Sequence, residues 1–556
     1  MRRQLQLLIV LLLALPIGML AQGTWQTATL ISNGGSGNAT LDKDHGEAWF
    51  KIEVPSDGRV KLTQSLGGNL AIYNVFFCWI EGSKAQSRTS MGYYPKDGQS
   101  MEVTDVAQGT YYVQVQRNGG EGTISLSYQF TASGYTNDEE PNNEAGSGTF
   151  IANGQTVQGH IGYLDDANVR DVDDWYKIEV TQDGRVDLIY ETEEAYGLEF
   201  YRVNFDYFNA AASWGRGAYE LRAGSSYYTK KDTLSIKDVG VGTYYINLHR
   251  NSGHGGYKLK YVFTPCKHQN DAEPNDNAGS GSYLTNGQTA EGHLGYLDGN
   301  DYRDKDDWYK IEVPQDGRVD LIYEAEETYG LEFYRIEFEY YNPAGSWGQG
   351  SYDLRKGSGY YTKKDTLTMT DVGVGTYYIH LSRNSGHGGY KLKYVFTPCK
   401  YQNDVDPNDE LATGAYLTSG QTVDGHLGFQ DGDGNLDKYD YYKIEVTEDG
   451  RVDLIYEAEE TYGLEFYRVT VSYYDPMGNW GKGGYYDRAG SSYYTKKDTL
   501  SITDAGVGTY YILLSRNSGH GGYKLKYVFT PCKHQNDAEP NDEGGQGSEI
   551  AVGQAV

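Results

Sequence analysis

An all-β fold, made of tandem jelly-roll-like antiparallel β-sandwich domains, is what this sequence predicts, and three observations predict it. The same motifs return at a step of 133 residues. Inside each block, apolar residues alternate with a period of two rather than 3.6. The composition holds 54 Tyr and 72 Gly against 6 Met, which favours strands joined by tight turns over helices.

The elements follow in order. Arg2 and Arg3 precede an unbroken apolar run from Leu7 to Leu15, Pro16 and Gly18 break it, and Ala21 suits the residue before a cleavage. This is the layout of a secretory signal peptide over residues 1–21. The run is short for a bilayer span of about 20 residues, and no Cys stands at the cleavage point to take a lipid. The expectation is a secreted or cell-surface protein with no membrane span once the leader is removed. Residues 22–133 hold a divergent repeat: Asp57-Gly58-Arg59-Val60 matches Asp183-Gly184-Arg185-Val186, and Gly109-Thr110-Tyr111-Tyr112 matches Gly242-Thr243-Tyr244-Tyr245. Three full repeats occupy 137–266, 270–399 and 403–532, and 536–556 begins a further, truncated one.

Within a repeat, Tyr244, Ile246 and Leu248 share one face while Asn247 and His249 take the other. After the Gly-rich turn at 251–256, Tyr257, Leu259, Tyr261 and Phe263 line one face of the next strand. This pattern predicts a hairpin. About eight short strands per repeat read as a sandwich or jelly roll.

The net charge of −29 excludes nucleic acid as a partner, because a phosphate backbone needs a basic stripe. The acidic residues are concentrated in two places per repeat. Asn270-Asp271-Ala272-Glu273-Pro274-Asn275-Asp276 opens the second full repeat, and Asp304, Asp306 and Asp307 precede Trp308-Tyr309. Calcium takes about 6–8 oxygen ligands from carboxylates, amides and carbonyls. Two acidic segments this far apart form one site only if the fold joins them. The competing role for Asp, Asn and Pro is to turn and cap the linker.

The order Glu-Pro-Asn-Asp, Asp-Trp-Tyr-Lys-Ile, Asp-Gly-Arg-Val and Gly-Thr-Tyr-Tyr resembles the bacterial pre-peptidase C-terminal domain family, to which the clostridial collagen-binding domains are related. The resemblance implies a calcium-responsive β-sandwich of the kind appended to secreted hydrolases. It implies that Asp271, Glu273, Asn275, Asp276, Asp304 and Asp307 meet around one ion. Carried across by position, it points to Asp138, Glu140, Asn142, Asn143, Asp171 and Asp174 in the first repeat. In the third it points to Asp404, Asp406, Asn408, Asp409, Asp437 and Asp440. Tyr439 replaces the middle Asp of the other repeats (Asp173, Asp306), and Asn143 replaces an Asp. The divergent repeat offers Asp42, Asp44 and Glu47 but no Glu-Pro-Asn.

Other features carry less chemistry. Asp431-Gly432-Asp433-Gly434-Asn435-Leu436-Asp437 fails as an EF-hand loop, with Leu436 where Gly is needed and Tyr442 where Glu is needed. His160, His293 and His426, with His254, His387 and His520, read as turn or surface residues. Cys78, Cys266, Cys399 and Cys532 read as free thiols. Tyr190, Tyr196, Phe200, Tyr201, Phe205, Tyr207 and Phe208, with Trp214, Tyr219, Tyr227 and Tyr228, divide between core and an aromatic face. No catalytic constellation is present, so the chain reads as non-enzymatic. It fits a calcium-stabilised binding or adhesion array for an extracellular protein or polysaccharide. The alternative is an accessory or spacer region of a secreted peptidase or other hydrolase.

Overall fold

The computed structural model describes residues 23–208, 214–221, 230–268, 270–298, 302–341, 347–353, 363–401, 404–405, 407–431, 435–474, 480–487, 496–534, 537, 541 and 543–555. The leader assigned to 1–21 lies outside them, as do the side chains of Tyr207, Phe208, Trp214, Tyr219, Tyr227 and Tyr228. Among the described residues there are strands and two three-residue 3₁₀ turns but no α-helix, and no helix is long and apolar enough to cross a membrane. The chain divides into two compact units, Met1–Cys266 with Leu297–Arg303, and Lys267–Tyr296 with Asp304–Val556.

The N-terminal copy sets the pattern. Its strands are β1 (Thr29–Ile31), β2 (Ser36–Leu41), β3 (Glu47–Val54), β4 (Gly58–Leu66), β5 (Ala71–Glu81), β6 (Lys84–Ser90), β7 (Ser100–Val106), β8 (Gly109–Gly119) and β9 (Gly122–Ala132). One sheet runs β1-β3-β8-β5-β6 and the other β2-β9-β4-β7. The β1–β3 pair is parallel and the other pairs are antiparallel. The same two orders recur in each later copy. Nine strands per copy, one more than the alternation alone suggests, arise because the two- or three-residue β1 is too short to show a period.

Each core lies between its two sheets and is built from the alternation. In the first full repeat Val186, Leu188, Tyr190, Tyr244, Ile246, Leu248, Tyr257 and Leu259 are buried together with Phe200 and Phe205. Full burial of each such side chain contributes about 1.5–3 kcal/mol.

The expected hairpin between the last two strands is a correction. Gly242–Ser252 pairs with Asp173–Val180 and Glu199–Phe208, whereas Gly255–Pro265 pairs with Thr156–Ile161 and Gly184–Thr192. The chain arches from one sheet to the other, so the two apolar faces look at each other across the core. Gly253, at φ +70°, redirects the backbone there, and a Cβ on it would strike the Gly197 carbonyl.

Candidate metal centre

The acidic opening lies just ahead of each full repeat's first strand, and its residues turn inward onto two tyrosines. In the first repeat Asp138 Oδ2 accepts hydrogen bonds from Asn142 Nδ2 (2.7 Å), Tyr176 Oη (2.7 Å) and Tyr257 Oη (3.2 Å). Tyr176 and Tyr257 also bond to each other. They stand on the strands Asp173–Val180 and Gly255–Pro265, so the opening bridges the third and last strands of the sandwich. The second repeat repeats this. Asp271 Oδ2 accepts from Asn275 Nδ2 (2.6 Å), Tyr309 (3.2 Å) and Tyr390 (3.3 Å), and Tyr309 and Tyr390 lie 2.6 Å apart. In the third, Asp404 accepts from Asn408 (2.6 Å), Tyr442 (3.0 Å) and Tyr523 (3.2 Å).

A glycine makes room for this cluster. A Cβ on Gly159 or Gly292 would overlap the hydroxyl of Tyr257 or Tyr390 and come within 2.8 Å of Asp138 or Asp271. Residues that act together here vanish together in the N-terminal copy. By strand register, Ala39 stands where Gly159 is, Ala48 where Asp174 is, Phe50 where Tyr176 is and Ile124 where Tyr257 is. All four are buried, so an apolar plug fills the space. Asp42 in that copy closes a turn instead, accepting from the backbone N–H of Asp44 and His45 at 2.8 Å each.

Carboxylate oxygens of Asp138, Glu140 and Asp174 come within 4.8 Å of one another, and so do those of Asp271, Glu273 and Asp307. These two clusters have the geometry to hold a metal ion. Asn142, Asn275, Asp174 and Asp307 are fully or almost fully buried beside them. The Oδ1 atoms of Asn142, Asn275 and Asp307 have no hydrogen-bond partner, and neither Asp174 oxygen has a donor in hydrogen-bonding geometry. Asn142 and Asn275 spend their Nδ2 on the neighbouring aspartate, which leaves the amide oxygen as a spare hard ligand. A buried polar atom without a partner costs about 1–3 kcal/mol, and a charged one more.

The electrostatics agree. Burial holds Asp138 and Asp271 above the usual carboxylate range. Burial, with the charges of Asp138 and Asp57, does the same to Glu140. Asp171 is pushed up to about 8 by burial and by Glu140, Asp138 and Asp57. Asp174 and Asp307 are raised furthest, through complete burial and then through Asp171 and Asp138, or Asp271 and Asp304. In each, burial and most often neighbouring carboxylates make the charged form harder to reach.

Outside these two clusters stand the other expected ligands. Asp171 is outside the three-carboxylate cluster but close enough to act on it electrically. Asn143, with its amide turned to suit its neighbours, donates to Asp171 Oδ1 (3.1 Å). Asp276, Asp304 and Asp437 are half-buried and outside the two tight clusters. Asp409 is exposed overall; partial desolvation of its carboxyl, then the charges of Asp404, Glu410 and Asp431, raises it. Asp406 lies outside the described residues, while Asp440 is fully buried and accepts from Tyr523 (2.6 Å). The middle Asp points to the other face of its strand. Asp173 meets His249 (2.6 Å) and Asp306 meets His380 (3.0 Å), which is why Tyr439 can replace it without touching the cluster.

Asp431 Oδ1 accepts from Asn435 N (2.7 Å), and Asp165 and Asp298 close the same turn in the other repeats, accepting from Val169 (2.7 Å) and Tyr302 (2.8 Å). His254, His387 and His520 stack on Tyr196, Tyr329 and Tyr462 at 4.6–4.7 Å. His160, His293 and His426 are not surface residues; they are 2–3% exposed. None of the four cysteines is in a disulfide among the described residues, and burial pushes Cys78 up to about 12. Among the expected aromatic face, Tyr190, Phe200 and Phe205 are core, while Tyr196 and Tyr201 are half-buried.

No family model and no curated protein matches this chain. Among solved structures, it is similar to the pre-peptidase C-terminal domain of a collagenase from Bacillus anthracis, at 19% identity over 22% of this chain and 99% of that one, with a TM-score of 0.16. It is also similar to tripeptidyl peptidase 2, at 9% identity over 91% of this chain and 33% of that one, with a TM-score of 0.15. A third likeness is to the M60 catalytic domain with two CBM51 domains from Clostridium perfringens ZmpB, at 9% identity over 88% of this chain and 55% of that one, with a TM-score of 0.12. The chain thus spans about a third of the peptidase and half of the ZmpB structure. At these scores the likenesses carry no argument about activity.

Proposed function

We propose that this chain is an exported, non-catalytic array of β-sandwiches, each full repeat stabilised by calcium at its acidic opening, and that the array binds an extracellular protein or polysaccharide. The observation that carries the reading is the buried, unpartnered amide oxygen of Asn142, Asn275 and Asn408, each directly behind the aspartate of its own opening. The donor set is all oxygen, from carboxylates and amides, which suits calcium rather than zinc or copper. Asp138, Glu140, Asn142 and Asp174 would hold the ion in the first repeat, with Asp171 supplying charge beside it. Asp271, Glu273, Asn275 and Asp307 would do so in the second, and Asp404, Asn408 and Asp440, with Asp406, in the third. Matched sites on repeated domains suit avidity rather than turnover.

The test is thermal melting of the full chain after chelation and after calcium is restored. Calcium is expected to raise the melting temperature, and Asp307→Ala to remove the second repeat's share. An unchanged melting curve would end the metal assignment. Retention on collagen or polysaccharide matrices tests the binding half, and failure on every matrix would end that.

A further inference from the structure

Each compact unit contains a contact in which a full repeat rests on the sandwich before it, and the same side chain makes it. His160 lies in Thr156–Ile161, and its backbone N–H donates to Asp138 Oδ1 (3.3 Å), so it holds one wall of the acidic cluster. Its ring points the other way. Nδ1 is 3.2 Å from Asp57 Oδ2 of the preceding sandwich, and Nε2 is 2.8 Å from the Tyr135 carbonyl. In the second unit His426 does the same, with N–H to Asp404 Oδ1 at 3.2 Å, Nδ1 to Asp316 Oδ2 at 3.1 Å and Nε2 to Tyr401 O at 2.9 Å. Asp57 and Asp316 are fixed in turn by the backbone N–H of Gln108 (2.8 Å) and Val374 (3.1 Å).

Two further observations tie this contact to the acidic opening. One cavity in the first unit is lined by Asp57 and Gln108 of the earlier sandwich and by Glu140 and Asp171 of the later one. Its counterpart in the second unit is lined by Asp316 and Val374 together with Asp404 and Asp437. The histidine and the opening are also present or missing as a pair. The N-terminal copy, which lacks the opening, has Thr40 at the strand position of His160.

We propose that His160 and His426 are coupling residues, through which a cation bound at an acidic opening fixes the docking of that sandwich on the one before it. The inference rests on the cation reading given above. The junction within each compact unit would then stiffen as the ion binds, and loosen when the ion is removed.

Backbone amides report the contact directly. Ala107 N donates to Leu164 O and Leu164 N to Asp105 O, both at 2.9 Å, across the first junction. Gly373 N and Gln430 N make the equivalent bonds to Gln430 O (2.6 Å) and Asp371 O (2.9 Å) across the second. Hydrogen exchange of the full chain, chelated and then calcium-loaded, follows these amides while calorimetry measures calcium binding. In the wild type, calcium should slow their exchange on the order of tenfold, the usual size of a site-to-site coupling. In His160→Ala with His426→Ala the slowing should disappear while calcium still binds, weaker by at most about the same tenfold because the coupling is reciprocal, and alanine keeps the N–H that holds Asp138. Asp57→Asn approaches the same contact from the other sandwich; because its charge also acts on Glu140 and Asp171, it is read at saturating calcium, where it should weaken the slowing at the first junction alone. Calcium binding without slowed junction exchange, or slowing that survives these substitutions, would overturn the coupling and leave the cation site standing. Absence of calcium binding would overturn both.

Discussion

Replacing Asp171 by Asn changes the charge of the first repeat's centre without changing its shape, and its effect on stability should reverse sign with calcium. Asp171 sits at about 8 against an ordinary 3.8, through burial and then through Glu140, Asp138 and Asp57. A carboxyl raised in this way binds more protons folded than unfolded. Stability is therefore greatest below about pH 4 and is lost as pH rises towards 8. At about 1.4 kcal/mol per tenfold, keeping this group protonated at pH 7 costs the folded state up to about 4 kcal/mol. The neutral amide escapes that cost and can still accept the bond from Asn143. In chelator at pH 7, Asp171→Asn should stabilise its sandwich by about 2 to 4 kcal/mol and flatten the loss of stability between pH 4 and 8. In calcium it should be the less stable of the two proteins, because the ion loses a neighbouring charge. Denaturant unfolding at several pH values, with and without calcium, measures all of this. A variant less stable than wild type in chelator, with an unchanged pH slope, would refute the reasoning.

Three other perturbations test separate parts of the account. His380 is lifted to about 9: burial opposes its charging, but the bonds to Asp306 and Glu337 prevail. Its contribution, up to about 3 kcal/mol, should be complete below pH 6.5 and fade as pH rises through 9; a nuclear magnetic resonance titration and His380→Leu, the residue the third repeat carries at this position, check it. Gly292→Ala should abolish calcium binding by the second repeat while leaving the first intact, since the new Cβ meets the Tyr390 hydroxyl; site-by-site calcium titration measures it. Asp105 holds Arg88 at 2.6 Å and Arg170 at 2.9 Å, and the Arg88 side chain is only 7% exposed. Asp105→Ala should cost about 3 kcal/mol, seen as a lower first melting transition, because it leaves that guanidinium buried without its partner.

The sandwich architecture was legible because each strand's alternation fixes which side chains enter the core, and the exact 133-residue step repeats that code three times. What alternation does not encode is which strand lies beside which. That is why the arch after Ser252 reads as a hairpin from the sequence: the two strands have the same apolar phase whether they pair or face each other. The aspartates of the centre were legible as a pattern, but Tyr176 and Tyr257 were not, because a buried Tyr in a core strand looks like any other. Their signal lies in the divergent copy, where Phe50, Ile124, Ala48 and Ala39 remove every polar partner together. His160 was misread for a different reason. Gly-His-Ile-Gly looks like a turn, and half of what buries its ring belongs to another sandwich.

The hydrogen bond from Tyr257 to Asp138 joins residues 119 positions apart, the last strand of a repeat to the segment that leads into it. A pull on the chain from upstream therefore reaches the acidic opening before it reaches any strand. If the proposed ion is in place, the load would pass through its oxygen ligands into Asp174 on the third strand, and the short first strand would be spared. Without it, the load falls on the asparagine and tyrosine hydrogen bonds, which are individually weak and can open one after another. On the proposed cation reading, a repeat built this way would resist tension according to the calcium around it.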